Sequence, residues 1–226
     1  MKTEQEVIAQ LTLENRSFET AIEIIPEAVC RRAVEALKTQ FSQDFPDPDQ
    51  VCIIPIMQGG SIIGQVLAET GAVLNPMQMT NYDSDGERLP SPVCLMKPDI
   101  HQIVNQDGTV KNVCLAEAVV DSQGTIKAAS EIILSQVAAL RESRNYPPDL
   151  PNPIIHTFTL VSKIPQETEI IIPNLTAALW VHPNIWIFGW GCDSDQNGRE
   201  AQFLGGYPSP FASELPSIPY WESLLH

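Results

Sequence analysis

The chain has 226 residues, 43% of them hydrophobic, and a formal net charge of -15 at pH 7. That suits one compact domain, or one domain with a small lobe, around a sizeable core. So acidic a surface repels nucleic-acid phosphates and anionic membranes, and neither is expected as a partner; a small phosphorylated ligand meets a local field and stays open.

The opening MKTEQEVIAQLTLEN is polar and acidic, unlike a signal peptide. PEAVCRRAVEALKTQF, from Pro26, predicts a helix with proline in its first turn and Ala28, Val29, Ala33, Val34 and Leu37 on one face. PDPD at 46–49 ends it, and VCIIPI at 51–56 predicts a short buried strand. A Gln58-Gly59-Gly60 turn and a helix over about 61–69 follow. VLNPMQM at 73–79 predicts a strand in which Pro76 marks an edge or a bulge. NYDSDGERLPSP at 81–92 reads as a polar loop, and VCLMK at 93–97 as a strand. NVCLAEAVV at 112–120 predicts the central strand, with a helix over about 124–143 behind it. YPPDLPNP at 146–153 is a linker, and IIHTFTLVS at 154–162 and IWIFGW at 185–190 predict further strands. The last twenty residues, rich in Gly and Pro, are expected to wrap the surface.

No apolar run approaches the roughly 20 residues of a membrane span. The cysteines at 30, 52, 94, 114 and 192 form no CxxC pair, and Cys52, Cys94 and Cys114 lie in apolar runs. They predict reduced, mostly buried thiols in a cytoplasmic protein. The histidines are isolated, so no zinc-type cluster is expected.

Continuous apolar strands alternating with helices predict an α/β fold, a parallel sheet covered on both faces. Ligands in such folds sit at the carboxyl ends of the strands. The turns at 57–61, 121–125 and 191–199 should therefore gather on one rim. At the second, Glu117 and Asp121 end a strand, and Ser122-Gln123-Gly124-Thr125 opens a helix. Free N–H groups there, with the Ser122 and Thr125 hydroxyls, suit a phosphate. The two acids suit sugar hydroxyls or a cation. The plainer alternative is an ordinary βα turn with Asp121 or Ser122 as helix cap. Glycines at 59 and 60 let N–H groups approach an anion, although turns use Gly-Gly for many reasons. DSDQNG at 193–198 imitates half of a calcium loop, but Leu204 stands where a bidentate Glu is required, so calcium is rejected. Asp193 could still hold magnesium through water, and Arg199 could grip phosphate bidentately. Read alone, Lys163 is a solvated strand end and Trp186 a core residue.

Together these segments resemble the type I phosphoribosyltransferases, most closely the hypoxanthine-guanine branch, over about residues 50–206. IIPIMQGGSIIGQVL is similar to the family's strand, pyrophosphate loop and helix, with Gln58 where the family usually has Lys. NYDSD resembles the Ser-Tyr start of its mobile loop, Asn81 replacing Ser and Tyr82 kept. VCLAEAVVDSQGT resembles the signature VLIVEDIIDTGxT. Ala118 stands in place of its second acid, and Ser122-Gln123 in place of Thr-Gly. LVSK and IWIFGWGCDSDQNGRE resemble the base-binding lysine strand and the terminal segment.

The resemblance implies one phosphoribosyltransferase-like domain over 1–226, with a core of about 26–206 and extensions at 1–25 and 207–226. Its mainly parallel twisted sheet would carry a small hood formed from the termini and the C-terminal segment. The implied reaction transfers ribose 5-phosphate from 5-phosphoribosyl 1-pyrophosphate to a 6-oxopurine, with Mg2+ as cofactor, in a cytoplasmic homo-dimer or tetramer. Asp121 would be catalytic, beside the purine N7. Glu117 would face the ribose hydroxyls and, with Asp193, the metal. Ser122, Gln123, Gly124 and Thr125 would hold the 5′-phosphate, and Gln58, Gly59 and Arg199 the pyrophosphate. Tyr82 would come from a closing loop. Lys163 would bond the 6-oxo group, Trp186 would stack on the base, and Ile187 would offer backbone contacts. The changes at Ala118 and Gln123 imply a rival: a relative that kept the sheet, lost part of the site, and binds a ligand or a partner. If the site is only weakened, Ala118→Asp is expected to restore ribose binding.

Overall fold

The structure, a computed structural model, describes residues 22–85, 87–121, 123–165, 168–172, 174–192, 203–208 and 221–224. Along the chain come β1 (Ile22–Ile25), α1 (Glu27–Asp44), β2 (Val51–Met57), α2 (Ser61–Ala68), β3 (Val73–Leu74), β4 (Met77–Tyr82) and β5 (Arg88–Met96). Then follow β6 (Asn112–Val120), α3 (Gly124–Ser143), β7 (Ile155–Ser162), β8 (Leu175–Val181), β9 (Ile185–Phe188), β10 (Leu204–Pro208) and β11 (Trp221–Ser223).

The main sheet has the order β11-β8-β7-β6-β2-β4-β5, with β3 paired to β2 off that path. Strands β8, β7, β6, β2 and β4 run parallel. The edges β5 and β11 are antiparallel. A parallel core of this kind needs cover on both faces, and the alternation along β6 provides the seam. Cys114, Ala116 and Ala118 join one apolar cluster with Phe41 of α1 and with Ile63 and Leu67 of α2. Val113 and Leu115 join the other with Ile126, Ala129, Ile133 and Val137 of α3. A second, antiparallel sheet, β1-β10-β9, packs Ile24, Ile25, Ile187 and Leu204 into the first cluster.

Several expectations shift. Pro26 is the N-cap of α1, one place before its first turn, and the buried stripe is Cys30, Ala33, Val34, Leu37 and Phe41. Ala28 is exposed and Val29 only half-buried. The run at 73–79 breaks at Asn75-Pro76, where the Asn75 amide donates to Asp99 O (2.9 Å) and accepts from Asp99 N (2.8 Å). Most of the stretch read as a polar loop at 81–92 is strand. β4 extends to Tyr82, which pairs with Arg88 on β5. Pro90 and Pro92 fit there because β5 is an edge that need not donate on both sides. Asp83 closes the hairpin by accepting from Asp85 N (3.0 Å) and Glu87 N (2.9 Å). No sequence pattern announces β8, since the Leu and Ala of LTAALWV suit a helix as well as a strand. β9 lies in the small sheet and not the main one.

All five cysteines are free, and Cys30, Cys52, Cys114 and Cys192 are buried. Among the described residues no helix is long and apolar enough to cross a membrane.

Candidate active site

The carboxyl ends of β2, β4, β6 and β7 open on one cavity of about 680 Å³. Gln58, Gly59, Tyr82, Glu117, Asp121, Thr125, Lys163 and Ile187 all line it, together with Gly191. The topology thus brings eight of the sequence-derived site residues to one rim. Ser122, Asp193 and Arg199 lie outside the described residues. Trp186 is on β9, its backbone paired with Tyr207, and its side chain is outside what is described.

Glycines permit the convergence. A Cβ on Gly60 would stand 1.9 Å from Ala116 O, so α2 starts hard against β6. Gly191 has φ +86°, and a Cβ there would stand 2.5 Å from Gly59 O. Side chains at these places would force the loops at 58–60 and 189–192 apart. Between them lies Glu117, whose Oε1 accepts from Ala118 N at 2.9 Å. Behind it, burial first and the Glu117 charge second push the Cys192 thiol well up, which keeps it protonated.

Lys163 is not a solvated strand end. It is 4% exposed, and its N–H donates to Val120 O at 2.8 Å. Its Nζ lies 3.4 Å from Asp121 Oδ1, whose side chain is 62% exposed. A buried ammonium is costly unless paired. Asp121 supplies the pair while keeping its carboxylate open to the cavity. At the far wall Asn81 Nδ2 donates to Thr125 Oγ1 at 3.2 Å, which sets the β4 end beside the start of α3. Gly124 is the first residue of that 20-residue helix, so N–H groups of its first turn lack intrahelical partners.

Two departures from the family pattern acquire a physical account. Gln123 has φ -71° and ψ -3°, an ordinary helical conformation that needs no glycine. Its side chain does not join the cavity wall but bonds to residues 169–172. Ala118 is fully buried on the α1–α2 side, and a Cβ on Gly191 would touch its Cβ at 3.4 Å. Position 118 thus faces the core, not the cavity that Glu117 lines.

Arg88 also lines the cavity, the second basic residue to do so with Lys163. Sequence reasoning missed it inside a stretch taken as loop; its only signal was being the lone basic residue of NYDSDGERLPSP. Among the described residues no group of three or more His, Cys, Asp and Glu could hold a metal by itself. Magnesium is instead held by one or two carboxylates plus substrate phosphates, and the oxygen donors of Glu117 on the cavity wall fit that mode.

No family model matches the chain. It is 25% identical over 188 residues to the hypoxanthine-guanine phosphoribosyltransferase of Dictyostelium discoideum, covering 80% of this chain and 92% of that one. A hypoxanthine-guanine phosphoribosyltransferase structure from Bacillus anthracis aligns with a TM-score of 0.55 and 16% identity, over 81% of this chain and 95% of that one. A hypoxanthine phosphoribosyltransferase structure from Staphylococcus aureus aligns with a TM-score of 0.58 and 14% identity, over 92% and 97%. The chain therefore has the type I phosphoribosyltransferase fold. Its similarity runs to the hypoxanthine-guanine branch, in accord with the motifs.

Proposed function

We propose that this protein is an enzyme that transfers ribose 5-phosphate from 5-phosphoribosyl 1-pyrophosphate to a 6-oxopurine base and releases pyrophosphate. The observation that carries this reading is the Lys163–Asp121 pair, 3.4 Å apart, on the same cavity as Glu117 and the start of α3. A 6-oxopurine offers a carbonyl that accepts a hydrogen bond and, beside it, a ring N–H. A buried ammonium next to an open carboxylate matches both. Lys163 would donate to the 6-oxo group, and Asp121 would take the N7 proton as N9 bonds to C1 of the ribose. The C1–O bond breaks as pyrophosphate leaves with its electron pair. Glu117 would accept from the ribose hydroxyls, and the N–H groups at 122–125 would hold the 5′-phosphate. Placement and electrostatic support supply most of the rate, because the ribose carries its positive charge only in the transition state. Magnesium, met by Glu117 and Asp193, would neutralise charge on the leaving pyrophosphate. Tyr82 and Arg88, on the hairpin, would cover the pyrophosphate end and keep water out. Residues 1–226 would form one such unit, a cytoplasmic dimer or tetramer.

The burial of Ala118 favours a second reading, in which a single ribose carboxylate leaves binding without turnover. Incubating the protein with phosphoribosyl pyrophosphate, magnesium and hypoxanthine, guanine, xanthine or adenine separates the two. Nucleotide product from the 6-oxopurines, read by mass spectrometry, is expected. Calorimetric binding of phosphoribosyl pyrophosphate with no product from any base would select the binding protein. Absence of both would remove the site from phosphoribosyl chemistry.

A further inference from the structure

The turn at 121–125 and the connection from β7 to β8 hold each other at two places. At the near end Lys163 N donates to Val120 O at 2.8 Å. At the far end the Gln123 side chain uses both ends of its amide. Its Oε1 accepts from Ile171 N (2.6 Å) and Ile172 N (3.0 Å), and its Nε2 donates to Glu169 O (2.8 Å). Ile164 and Ile172 are buried in one cluster with Val120 and Ile126, directly under the turn. Trp180 Nε1 donates to Ile164 O at 2.9 Å. Between these anchors Ile170 and Ile171 are 56% and 59% exposed. Packing anchors Ile164 and Ile172 but not Ile170 and Ile171, so along that exposed span the Gln123 amide carries the constraint. The connection begins at Lys163, whose ammonium faces the cavity beside Asp121.

We propose that Gln123 is a positioning residue that clasps the β7–β8 connection to the phosphate turn, so that the turn and the base-binding Lys163 act as one rigid unit. This rests on the transferase reading of the cavity. Gln123 acts through its side chain on the base end of the site, while its helical backbone leaves the phosphate end as it was. A phosphate seated on the N–H groups at 122–125 then steadies Lys163 through the clasp. The glutamine is a gain of connection at a place where the family pattern has glycine, not a lost cradle residue.

The test compares the full chain with Gln123→Ala and Gln123→Glu. Three quantities are measured: amide exchange at 168–172, calorimetric affinity for phosphoribosyl pyrophosphate with magnesium, and dialysis affinity for labelled hypoxanthine with ribose 5-phosphate present. In Gln123→Ala, exchange at Ile171 and Ile172 should accelerate. Hypoxanthine affinity should fall about tenfold, the loss expected when net hydrogen bonds worth one step on the affinity scale disappear. Phosphoribosyl pyrophosphate affinity should fall by less than hypoxanthine affinity does, because the substitution keeps the backbone N–H at 123. Gln123→Glu keeps an acceptor for both N–H groups but loses the donor to Glu169 O, so it should restore part of the protection and part of the hypoxanthine affinity. Equal losses for both ligands, tracking a fall in melting temperature, would make Gln123 merely structural and overturn the inference. So would unchanged hypoxanthine affinity in Gln123→Ala. Wild-type protein that binds neither ligand would overturn the transferase reading itself, an outcome distinct from either of these.

Discussion

Ala118 decides how far the family pattern can be transferred residue by residue. Adjacent strand residues face opposite ways, so Glu117 reaches the cavity while Ala118 sits at 0% exposure among α1 and α2. Ala118→Asp is therefore expected to destabilise the fold and not to rescue ribose binding, which reverses what the motif alone suggests. Ala118 is fully buried, so a carboxylate there is taken out of water, at a cost on the order of several kcal/mol after relaxation. The pH dependence follows from the sign of the shift. Burial would raise the carboxyl's folded-state pKa above its unfolded value of about 3.9. Both states are protonated below that value, so the penalty is absent there, grows as pH rises, and is complete above the folded pKa. Urea melts of the variant and wild type at pH 4 and pH 7.5 should show a stability gap that widens with pH. A gap independent of pH, or tighter phosphoribosyl pyrophosphate binding by the variant, would show that position 118 does face the ligand.

At the scale of elements, the β4–β5 hairpin is the part of the site that the sequence hid best. Its tip carries Asp83, Asp85, Glu87 and Arg88, and the Asp83 carboxylate fixes the turn by holding two backbone N–H groups. Arg88 then faces the cavity near the loop in which Gln58 replaces the family's lysine. Arg88→Ala is expected to weaken phosphoribosyl pyrophosphate binding roughly tenfold, one step on the affinity scale, and to flatten its salt dependence, as loss of a phosphate-facing charge should. Hypoxanthine affinity should not move. Calorimetry at two salt concentrations checks both, and an unchanged phosphate affinity would leave Arg88 a solvated edge residue. The contrast with β6 explains what was legible. NVCLAEAVV buries both faces, so composition alone announces it, and the turn and α3 follow from helix-start chemistry. The hairpin is an edge with one wet face, two prolines and irregular register, and these are the features of a loop. β8 escaped for a different reason: its small and aliphatic residues carry no period that separates strand from helix. The site's acids, turn and lysine were readable because each ends a strand. The Gln123 clasp was not, because its partners lie 46 to 49 residues away, and no local pattern encodes such a pairing.

Over the whole molecule, two apolar layers and an acidic surface act together on the cysteines. Cys30, Cys114 and Cys192 belong to the layer under α1 and α2, and Cys52 to the layer under α3. Burial raises all four thiols, and neighbouring acids add to it, Glu23 and Glu27 at Cys30 and Asp99 at Cys52. Cys30 is pushed up to about 12 and Cys52 to about 11. In the unfolded chain these thiols ionise near about 8.5. Below that value both states hold the proton and stability does not depend on it. Above it the unfolded state releases protons that the folded state keeps, so stability falls with rising pH until the folded thiols titrate. Each thiol contributes a slope of roughly 1.4 kcal/mol per pH unit in that window. The folded state of a domain is worth only about 5–15 kcal/mol in total, so the combined effect is large enough to measure. Urea melts at pH 7.5, 9 and 10 should therefore give level stability up to about 8.5 and a steep decline beyond. Cys52→Ala should reduce the alkaline slope by about one thiol's share, whatever it does to stability at neutral pH, because the slope counts protons and the neutral value reflects packing. Stability that stays level to pH 10, or a slope unaltered in Cys52→Ala, would mean that these thiols ionise as readily folded as unfolded and that the two layers do not exclude water as their burial requires.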